Sequence, residues 1–255
     1  MLAAERVKSI INLLNLNDSV MIHELSVSFR VCEETVRRDL DKACATDSAI
    51  IRVHGGAYKL REMDEDYPIS FREHTCVEEK KKIADLCMRV IQPGKSIMLD
   101  CSTTALFIAK QINEFALKLT VITNSLRVAQ ELSDNETVNL ICIGGNLRRS
   151  TKSCVGYQST NSVRMYHADQ AFISCTGVEQ EIGMTSYNES EAQIRSAMLE
   201  QSDERYLIAD TTKFGHGALN RMLPLDCLTA IITDSRLSEE WMNYLEKNHI
   251  KIIFE

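Results

Sequence analysis

The first residues that suit chemistry form a short polar cluster with two cations, which fits contact with nucleic acid. Its members are Thr35, Arg37 and Arg38. Around them, Val36, Leu40 and Ala43 recur at i, i+4 and i+7, which predicts a helix with one apolar stripe. The cationic side chains lie off that stripe, near the start of the predicted helix. Paired arginines in that position suit the base edges of a DNA major groove.

The alternative interpretation of this cluster is an ordinary helix with a solvated face, because short charged motifs recur by chance. The flanking sequence favours DNA contact. Apolar residues at helical spacing predict two preceding helices, at Val7, Ile10, Ile11 and Leu14, and at Ile22, Leu25 and Phe29. The second of these is separated from the arginine-bearing helix by about four residues, the length typical of a helix-turn-helix.

Residues 50–58 predict a small β-hairpin directly after the three helices. Its paired glycines permit a tight turn or the close approach of a partner to the backbone. Three helices followed by a hairpin make a winged helix-turn-helix. We therefore predict a DNA-binding surface made of Thr35, Arg37, Arg38, Arg52, His54, Gly55 and Gly56.

A second group of candidate residues follows the predicted strands of the remaining chain. From residue 76, helix and strand patterns alternate, which predicts a mainly parallel sheet flanked by helices. Such sheets bind ligands beyond the carboxyl ends of their strands. Those ends carry Asp100, Ser102, Thr103, Thr104, Asn124, Ser125, Gly144, Gly145, Gly177, Asp210 and Lys213. Hydroxyls, glycines and a lysine suit a phosphate, although each residue singly is also an ordinary helix cap.

The predicted fold class is therefore α/β, with a winged helix-turn-helix ahead of a mainly parallel sheet domain. We expect a DNA-binding domain at 1–58, a charged linker containing Pro68 at 59–75, and an effector-binding α/β domain at 76–255. A chain of 255 residues has room for one or two domains.

Composition places the chain among soluble globular proteins, since 44% of its residues are hydrophobic and 25% are charged. The sequence has neither an apolar run of membrane-spanning length nor a secretory signal pattern. Its nine cysteines are odd in number and contain no C-x-x-C pair, which favours reduced thiols over disulfides or zinc sites. We therefore expect a cytoplasmic protein without a membrane partner.

The net charge of −7 is unusual for a DNA-binding protein, but its distribution matters more than its sum. Residues 1–60 contain eight basic and eight acidic residues, so the remainder carries the whole excess. DNA contact must then rest on a local basic patch, and we expect dimers or larger oligomers to supply the affinity.

No metal or cofactor is expected, because the six histidines are scattered without an i, i+4 pair. Cys101, beside the predicted anion site, allows two interpretations. A helix N-terminus lowers the pKa of a thiol and favours a redox role. Packing as a small hydrophobic residue is the favoured reading, because free cysteines usually do so.

These motifs resemble the DeoR family of bacterial transcription regulators. The resemblance rests on Phe29-x-Val31-x-x-x-Thr35-Val-Arg-Arg-Asp-Leu40 and on 51–57 for the DNA-binding part, and on about 76–234 for the sensor part. It implies a repressor of carbohydrate-metabolism genes, released by a phosphorylated sugar, and a sensor fold similar to ribose-5-phosphate isomerase. Two positions depart from the family pattern, which has Ser where this chain has Cys32 and Gly where it has Ser102.

Two alternatives to a regulator are a sugar-phosphate isomerase or deaminase with an accessory DNA-binding domain, and an interaction protein whose α/β domain oligomerises. A winged helix disfavours the enzyme, as does the absence of a well-defined acid–base pair in the strand-end loops. The strand-end hydroxyls disfavour the pure interaction protein. Resemblance of fold does not by itself confer activity.

Overall fold

The protein is described by a computed structural model that covers residues 2–17, 19–47, 49–53, 55–59 and 69–255. The chain divides into two compact units, Met1–Thr75 and Cys76–Glu255. Within the described ranges, no helix has both the length and the apolar character needed to span a bilayer.

The first unit contains helices and a small antiparallel sheet. Its helices are α1 (Ala3–Asn17), α2 (Ile22–Phe29), α3 (Glu33–Thr46) and α4 (Ile69–Arg72). Its strands are β1 (Ser19–Met21), β2 (Ile50–Val53) and β3 (Gly56–Lys59), in the sheet order β1-β3-β2. The predicted helix-turn-helix and hairpin are confirmed, with β1 as an additional strand that pairs with β3.

The core of the first unit consists of the three predicted apolar stripes. Ile10 and Leu14 from α1, Leu25 from α2, and Val36 and Leu40 from α3 are all buried in one cluster. This packing explains the helices physically, because burial of an amphipathic face supplies most of the stability of a short helix. The sequence period therefore identified the correct faces.

The predicted linker at 59–75 falls largely on residues 60–68, which lie outside the described residues. Its last part carries α4, and the side chain of Ile69 is buried. Helix α4 contacts β1, so this end of the segment belongs to the first unit.

The second unit contains a seven-stranded parallel sheet with helices on both faces. Its helices are α5 (Val77–Met88), α6 (Thr103–Glu114), α7 (Leu126–Leu132), α8 (Tyr157–Val163), α9 (Glu189–Glu200) and α10 (Glu239–Lys247). The sheet strands, in spatial order, are β15 (Ile252–Ile253), β14 (Ala230–Ile232), β12 (Ser202–Ile208), β9 (Ala168–Ile173), β4 (Ser96–Leu99), β5 (Leu119–Thr123) and β6 (Val138–Cys142).

Shorter strands stand beside the main sheet. They are β7 (Asn146–Arg148) and β8 (Ser153–Val155), which form a hairpin, and β10 (Gly177–Glu179), β11 (Gly183–Ser186) and β13 (Asn220–Arg221), which form a small antiparallel sheet. None of these was predicted.

Both faces of the large sheet are covered, which explains why its central strand β4 carries a continuous apolar run. Along β4, Ile97 and Leu99 point to one core and Met98 to the other. Consecutive side chains of a strand alternate between faces, so a short unbroken apolar run is the expected pattern of a central parallel strand. The predicted α/β class is confirmed.

Candidate functional site

In the first unit, α3 presents two arginines to solvent at its N-terminal half. Arg38 is 74% exposed and Arg37 is 47% exposed. Among the described residues, Arg37 pairs with Glu33 at 3.1 Å and with Glu34 at 3.7 Å, and Arg38 pairs with Glu34 at 3.4 Å, all on the surface. Exposed pairs of this kind contribute about 0–1 kcal/mol, so both guanidinium groups are readily available to another partner.

The aspartate that follows these arginines has a structural role instead. Asp39 is 2% exposed, and its Oδ2 accepts a hydrogen bond from Arg6 Nε at 2.6 Å. This ion pair joins α1 to α3. Truncating one partner of a buried ion pair typically costs about 3–5 kcal/mol, so the pair fixes α3 within the unit.

The hairpin predicted to contact DNA is tied to α3 by Arg52. Its Nη1 donates to the carbonyl of Gly56 at 2.8 Å, and its Nε donates to Asp41 at 3.1 Å. A Cβ on Gly56 would lie 2.2 Å from the carbonyl oxygen of Val20, so this glycine is required by the pairing of β3 with β1. Gly55 has a φ of 91° and forms the turn. His54 lies outside the described residues.

The start of α3 lacks a side-chain cap. Cys32 occupies the N-cap position with an extended backbone, and its side chain accepts no hydrogen bond from a helix N–H group. Its sulfur lies 3.2 Å from the hydroxyl oxygen of Thr35, an interaction that lowers the pKa of the exposed thiol. Cys32, which stands where the family pattern has Ser, therefore does not cap the helix.

In the second unit, all strands of the large sheet run parallel, so their carboxyl ends share one edge. The chain proceeds from β4 outward through β5 and β6, then returns to β9 beside β4 and continues outward through β12, β14 and β15. The order reverses between β4 and β9. Ligands in open α/β sheets bind at such a point.

The loop after β4 lies at this reversal and leads into α6. The hydroxyl of Ser102 accepts a hydrogen bond from Ala105 N at 3.0 Å and so caps the helix. Thr103 and Thr104 are buried, and within the described chain their N–H groups have no hydrogen-bond acceptor. Two donors therefore remain at the positive end of the helix dipole.

The carboxylate of Asp100 is already occupied. Oδ1 accepts from Ser102 N at 3.1 Å, and Oδ2 accepts from Ser174 N at 3.3 Å. Oδ2 also accepts from Arg195 Nε at 2.9 Å, and both charged residues are almost completely buried. Asp100 therefore fixes the β4 loop against β9 and α9.

The end of β5 contributes a buried amide with an unpaired acceptor. Asn124 is fully buried, and its Nδ2 donates to the carbonyl of Cys154 at 2.9 Å. Its Oδ1 has no hydrogen-bond partner among the described residues. Ser125, next in sequence, caps α7 by accepting from Val128 N at 3.3 Å. Asn124 thus carries one of the few unpaired buried acceptors, a feature that calls for an explanation.

The predicted glycines at the strand ends are explained largely by packing. A Cβ on Gly145 would meet the hydroxyl of Ser159 at 1.9 Å, and one on Gly177 would meet the carbonyl of His216 at 2.3 Å. Gly144 borders open space, and its carbonyl accepts from Ser159 Oγ at 2.8 Å. Of these glycines, only Gly144 leaves room for another group beside its backbone.

The end of β12 leads into a short 3-10 turn, Thr211–Lys213. Asp210 is buried and accepts from Thr212 N at 3.1 Å, so it acts as the cap of that turn. Lys213 is half-buried, and no described residue forms an ion pair with its ammonium group. It therefore supplies a cation that the surrounding described residues do not neutralise.

Charged groups from two strand ends and from α9 act on the buried thiol of Cys175. Burial raises the pKa of this thiol to about 12, while Lys213 and Arg195 lower it and Asp100 raises it further. Electrostatic influence on one sulfur requires these groups to lie near it. Asp100, Lys213 and Arg195 thus all act on the Cys175 thiol, while a shared effector site of Asp100 and Lys213 stays a prediction.

Sequence reasoning missed a buried charge network on α9. Arg195 Nη2 lies 3.3 Å from Glu191, which is also 3.2 Å from Arg148 Nη1. Arg195 Nη1 donates to Ser186 Oγ at 3.2 Å. The i, i+4 spacing of Glu191 and Arg195 was the available signal, but the same spacing is common on solvated helix faces.

Two further expectations concern Cys101 and metals. Cys101 is fully buried, and Arg195 Nη2 lies 3.7 Å from its sulfur. Among the described residues, no group of three or more His, Cys, Asp or Glu side chains is arranged to hold a metal ion.

Two family models match the chain. A DeoR-like helix-turn-helix domain matches residues 6–62, and a DeoR C-terminal sensor domain matches residues 75–235. Among solved structures, the chain is similar to eIF2B delta from Chaetomium thermophilum, with a TM-score of 0.47, 11% identity, and coverage of 64% of this chain and 58% of that one. It is also similar to ribose 5-phosphate isomerase A from Methanocaldococcus jannaschii, with a TM-score of 0.39, 18% identity and 53% coverage of each chain. Both scores are low and support no functional argument.

Full-length relatives are found among transcription regulators. The chain is 37% identical over 252 residues to the uncharacterized HTH-type transcriptional regulator YulB of Bacillus subtilis, covering 99% of this chain and 96% of that one. It is 33% identical to the regulator IolR, with 92% coverage of each, and 30% identical to the repressor GlcR, with 98% and 95% coverage, both from the same organism. The regulator interpretation is thereby confirmed over the enzyme. The chain belongs to the DeoR family of helix-turn-helix transcriptional regulators.

Proposed function

We propose that this regulator represses a carbohydrate-metabolism operon and releases its DNA when a phosphorylated sugar binds the second unit. The proposal places the protein in the cytoplasm as a dimer or larger oligomer. The name of the relative GlcR, a transcriptional repressor, supports repression. The observation that carries the effector class is the pair of N–H donors at the start of α6 that have no acceptor among the described residues.

The phosphate is proposed to bind the loop 102–104. The N–H groups of Thr103 and Thr104 have no acceptor within the described chain, and the dipole of α6 favours an anion there. The Lys213 ammonium and Asp100, which precedes this loop, both act on the Cys175 thiol, and Lys213 is proposed to supply the countercharge. Hydrogen bonds between charged groups are roughly twice as strong as neutral ones, so the combination selects a phosphate over a neutral sugar.

The sugar is proposed to lie toward the end of β5. Asn124 Oδ1 is buried without a partner, so a hydroxyl donated by a ligand would satisfy it. A buried polar atom left unpaired costs about 1–3 kcal/mol, and that cost is recovered when the ligand binds. Gly144, next along the sheet edge, leaves the room for the sugar ring.

Asp100 was predicted to contact the sugar hydroxyls, and we now propose a different role for it. Both of its carboxylate oxygens already accept hydrogen bonds, including one from Arg195. Asp100 positions the phosphate loop against α9. Ligand binding on this loop can then move α9, and it changes DNA affinity only by as much as its affinities for the two conformations differ.

The effector site is tested with Thr103→Asp, which sets a like charge against the phosphate. Operator binding is measured by gel shift with and without a panel of phosphorylated sugars, and Trp241 fluorescence checks folding of the second unit. We expect the variant to bind DNA but to ignore a sugar phosphate that releases the wild-type protein. Thr137→Asp, which adds the same charge before β6 at the opposite sheet edge, should respond normally.

Lys213→Met keeps the test decisive if Thr103→Asp fails to fold, because Lys213 is half-buried and its ammonium forms no ion pair with a described residue. It should raise the effector concentration needed for release roughly tenfold or more. A wild-type response from either folded variant refutes the proposed phosphate site. Release by neutral sugars alone would refute the effector class.

The DNA-binding surface is tested with Arg37→Ala and Arg38→Ala. A base-reading arginine should cost about 1–3 kcal/mol and relax specificity, whereas a phosphate contact should reduce the salt slope by about one. Lys8→Ala, on the exposed side of α1, is the matched loss of one positive charge. Equal operator titrations for all three variants would exclude α3 as the recognition helix.

A further inference from the structure

A second cavity lies in the sensor unit, away from the strand ends. It has a volume of about 390 Å³ and is lined by α8 with the residue that follows it, by α9, and by β13. Polar side chains dominate its lining, including Thr160, Arg164, Gln193, Glu200 and Arg221. A space of this size lies within the range that small molecules occupy in proteins.

One residue of the lining carries a buried hydroxyl without a partner among the described residues. Thr160 is only 7% exposed, and its Oγ1 has no hydrogen-bond partner among the described residues. A helical threonine commonly bonds a backbone carbonyl one turn earlier, and this one does not. Native structures rarely leave a buried polar atom unpaired unless a ligand, ion or water completes it.

Two cations border the same cavity without a neutralising partner. Arg164 and Arg221 are exposed, and no described residue forms an ion pair or side-chain hydrogen bond with either guanidinium group. One carboxylate, that of Glu200, is also part of the lining. The lining thus carries an excess of one positive charge. Guanidinium groups bind carboxylate and phosphate in a two-pronged geometry.

We propose that this cavity is a second effector site, which binds a small organic oxyanion bearing hydroxyl groups. The oxyanion, phosphate or carboxylate, lies between Arg164 and Arg221 and accepts a hydrogen bond from Thr160. The hydroxyls of the ligand meet Gln193 and Glu200 on α9. This site is distinct from the strand-end loop, whose donors are Thr103, Thr104 and Lys213.

The site connects structurally to the strand ends through α9. Gln193 and Glu200 line the cavity, whereas Glu191 and Arg195 on the same helix belong to the buried charge network that holds Asp100. A ligand that fastens α8 and β13 to α9 therefore acts on the element that also positions the phosphate loop. Coupling between the two sites then follows from differential binding to two arrangements of one helix.

The test is calorimetric titration of the full-length protein in a buffer without oxyanions. The probes are inorganic phosphate and D-gluconate, so the two arms distinguish a phosphate site from a carboxylate site. Titrations in the Thr103→Asp background remove the contribution of the strand-end loop. We expect saturable binding of at least one probe in that background. Absence of saturable binding for both probes overturns the proposal.

Variants of the lining assign the binding to this cavity. Arg164→Ala and Arg221→Ala should each weaken it roughly tenfold or more, because one of two charged contacts is lost. Thr160→Val keeps the shape, removes the hydroxyl and should also weaken it. Arg149→Ala removes an exposed arginine outside the lining and should change nothing. Binding that survives both lining arginine variants overturns the proposal.

If Thr103→Asp does not fold, the same titrations are carried out on the wild-type chain. Wild type should then bind phosphate at two sites per chain, or at one site sensitive to Arg164 if the strand-end loop binds none. The Arg164→Ala/Arg221→Ala double variant should lose one site. An unchanged stoichiometry and affinity in that double variant overturns the second site while leaving the strand-end proposal intact.

Discussion

Replacing Arg195 with methionine tests whether the buried charge network supports the sensor unit. Arg195 is 3% exposed and lies between two carboxylates, Asp100 and Glu191, that are each 1% exposed. Methionine keeps most of the side-chain volume but removes the cation. Removing one partner of a buried ion pair costs about 3–5 kcal/mol, because a charge is left uncompensated. We expect Arg195→Met to lower the free energy of unfolding by that amount.

The measurement is urea unfolding followed by fluorescence of Trp241. This residue is the single tryptophan of the chain, and it is buried in the second unit, so its signal reports the unit that contains the network. For a unit of 150–250 residues, each 1 kcal/mol shifts the melting temperature by about 2–4 °C. A thermal scan should therefore show a decrease of roughly 6–20 °C.

Two controls distinguish the stability lost with the buried network from the stability lost on removing any arginine. Arg236→Met breaks an exposed pair with Glu239 and should cost less than about 1 kcal/mol. Asp100→Asn combined with Arg195→Met should cost less than the sum of the single changes, since contacting residues do not act additively. If Arg195→Met destabilises no more than Arg236→Met, the network does not stabilise the unit and the reasoning is refuted.

Three smaller predictions concern single positions. The hydrogen bond from Lys95 holds the pKa of Asp169 well below its usual 3.8. The ionised carboxylate therefore stabilises the fold above that pH, and this stabilisation is lost as the pH falls below it. Asp169→Asn should reduce the dependence of the free energy of unfolding on pH in that acidic range. Cys32→Ser should supply the missing cap and stabilise α3 by about 1 kcal/mol, measured by amide exchange. Gly145→Ala should lower the melting temperature, because its Cβ displaces the hydroxyl of Ser159. An acid-unfolding profile, an amide-exchange rate or a melting temperature equal to that of the wild type contradicts the corresponding expectation.

The spacing of apolar residues in the sequence was sufficient to predict the helices that pack by one face and the strands that are buried on both faces. The stripes through Ile10 and Leu40 and the apolar run at Ile97–Leu99 identified helices and a central strand, because burial imposes a spacing on each. The shared location of the strand ends then followed from topology, since the carboxyl ends of parallel strands lie at one edge of the sheet.

Very short strands without a continuous apolar run could not be predicted in this way. Strand β1 has three residues, and β7 and β8 have three each, which is too few to establish an alternation. Arg195 was missed for a different reason. Its burial depends on Asp100, 95 positions earlier in the chain, and a local pattern contains no information about such a partner.

The triplet Arg37-Arg38-Asp39 places two residues proposed for operator recognition directly beside a residue that stabilises the fold. Asp39 is fixed by Arg6 in the interior, whereas both arginines are held only by exposed pairs. Exchanges on such a surface usually alter stability by about 0.5 kcal/mol or less. If the two arginines read the operator as proposed, an evolving lineage can vary them and explore new operator sequences at little structural cost, whereas a change at Asp39 breaks its buried ion pair with Arg6.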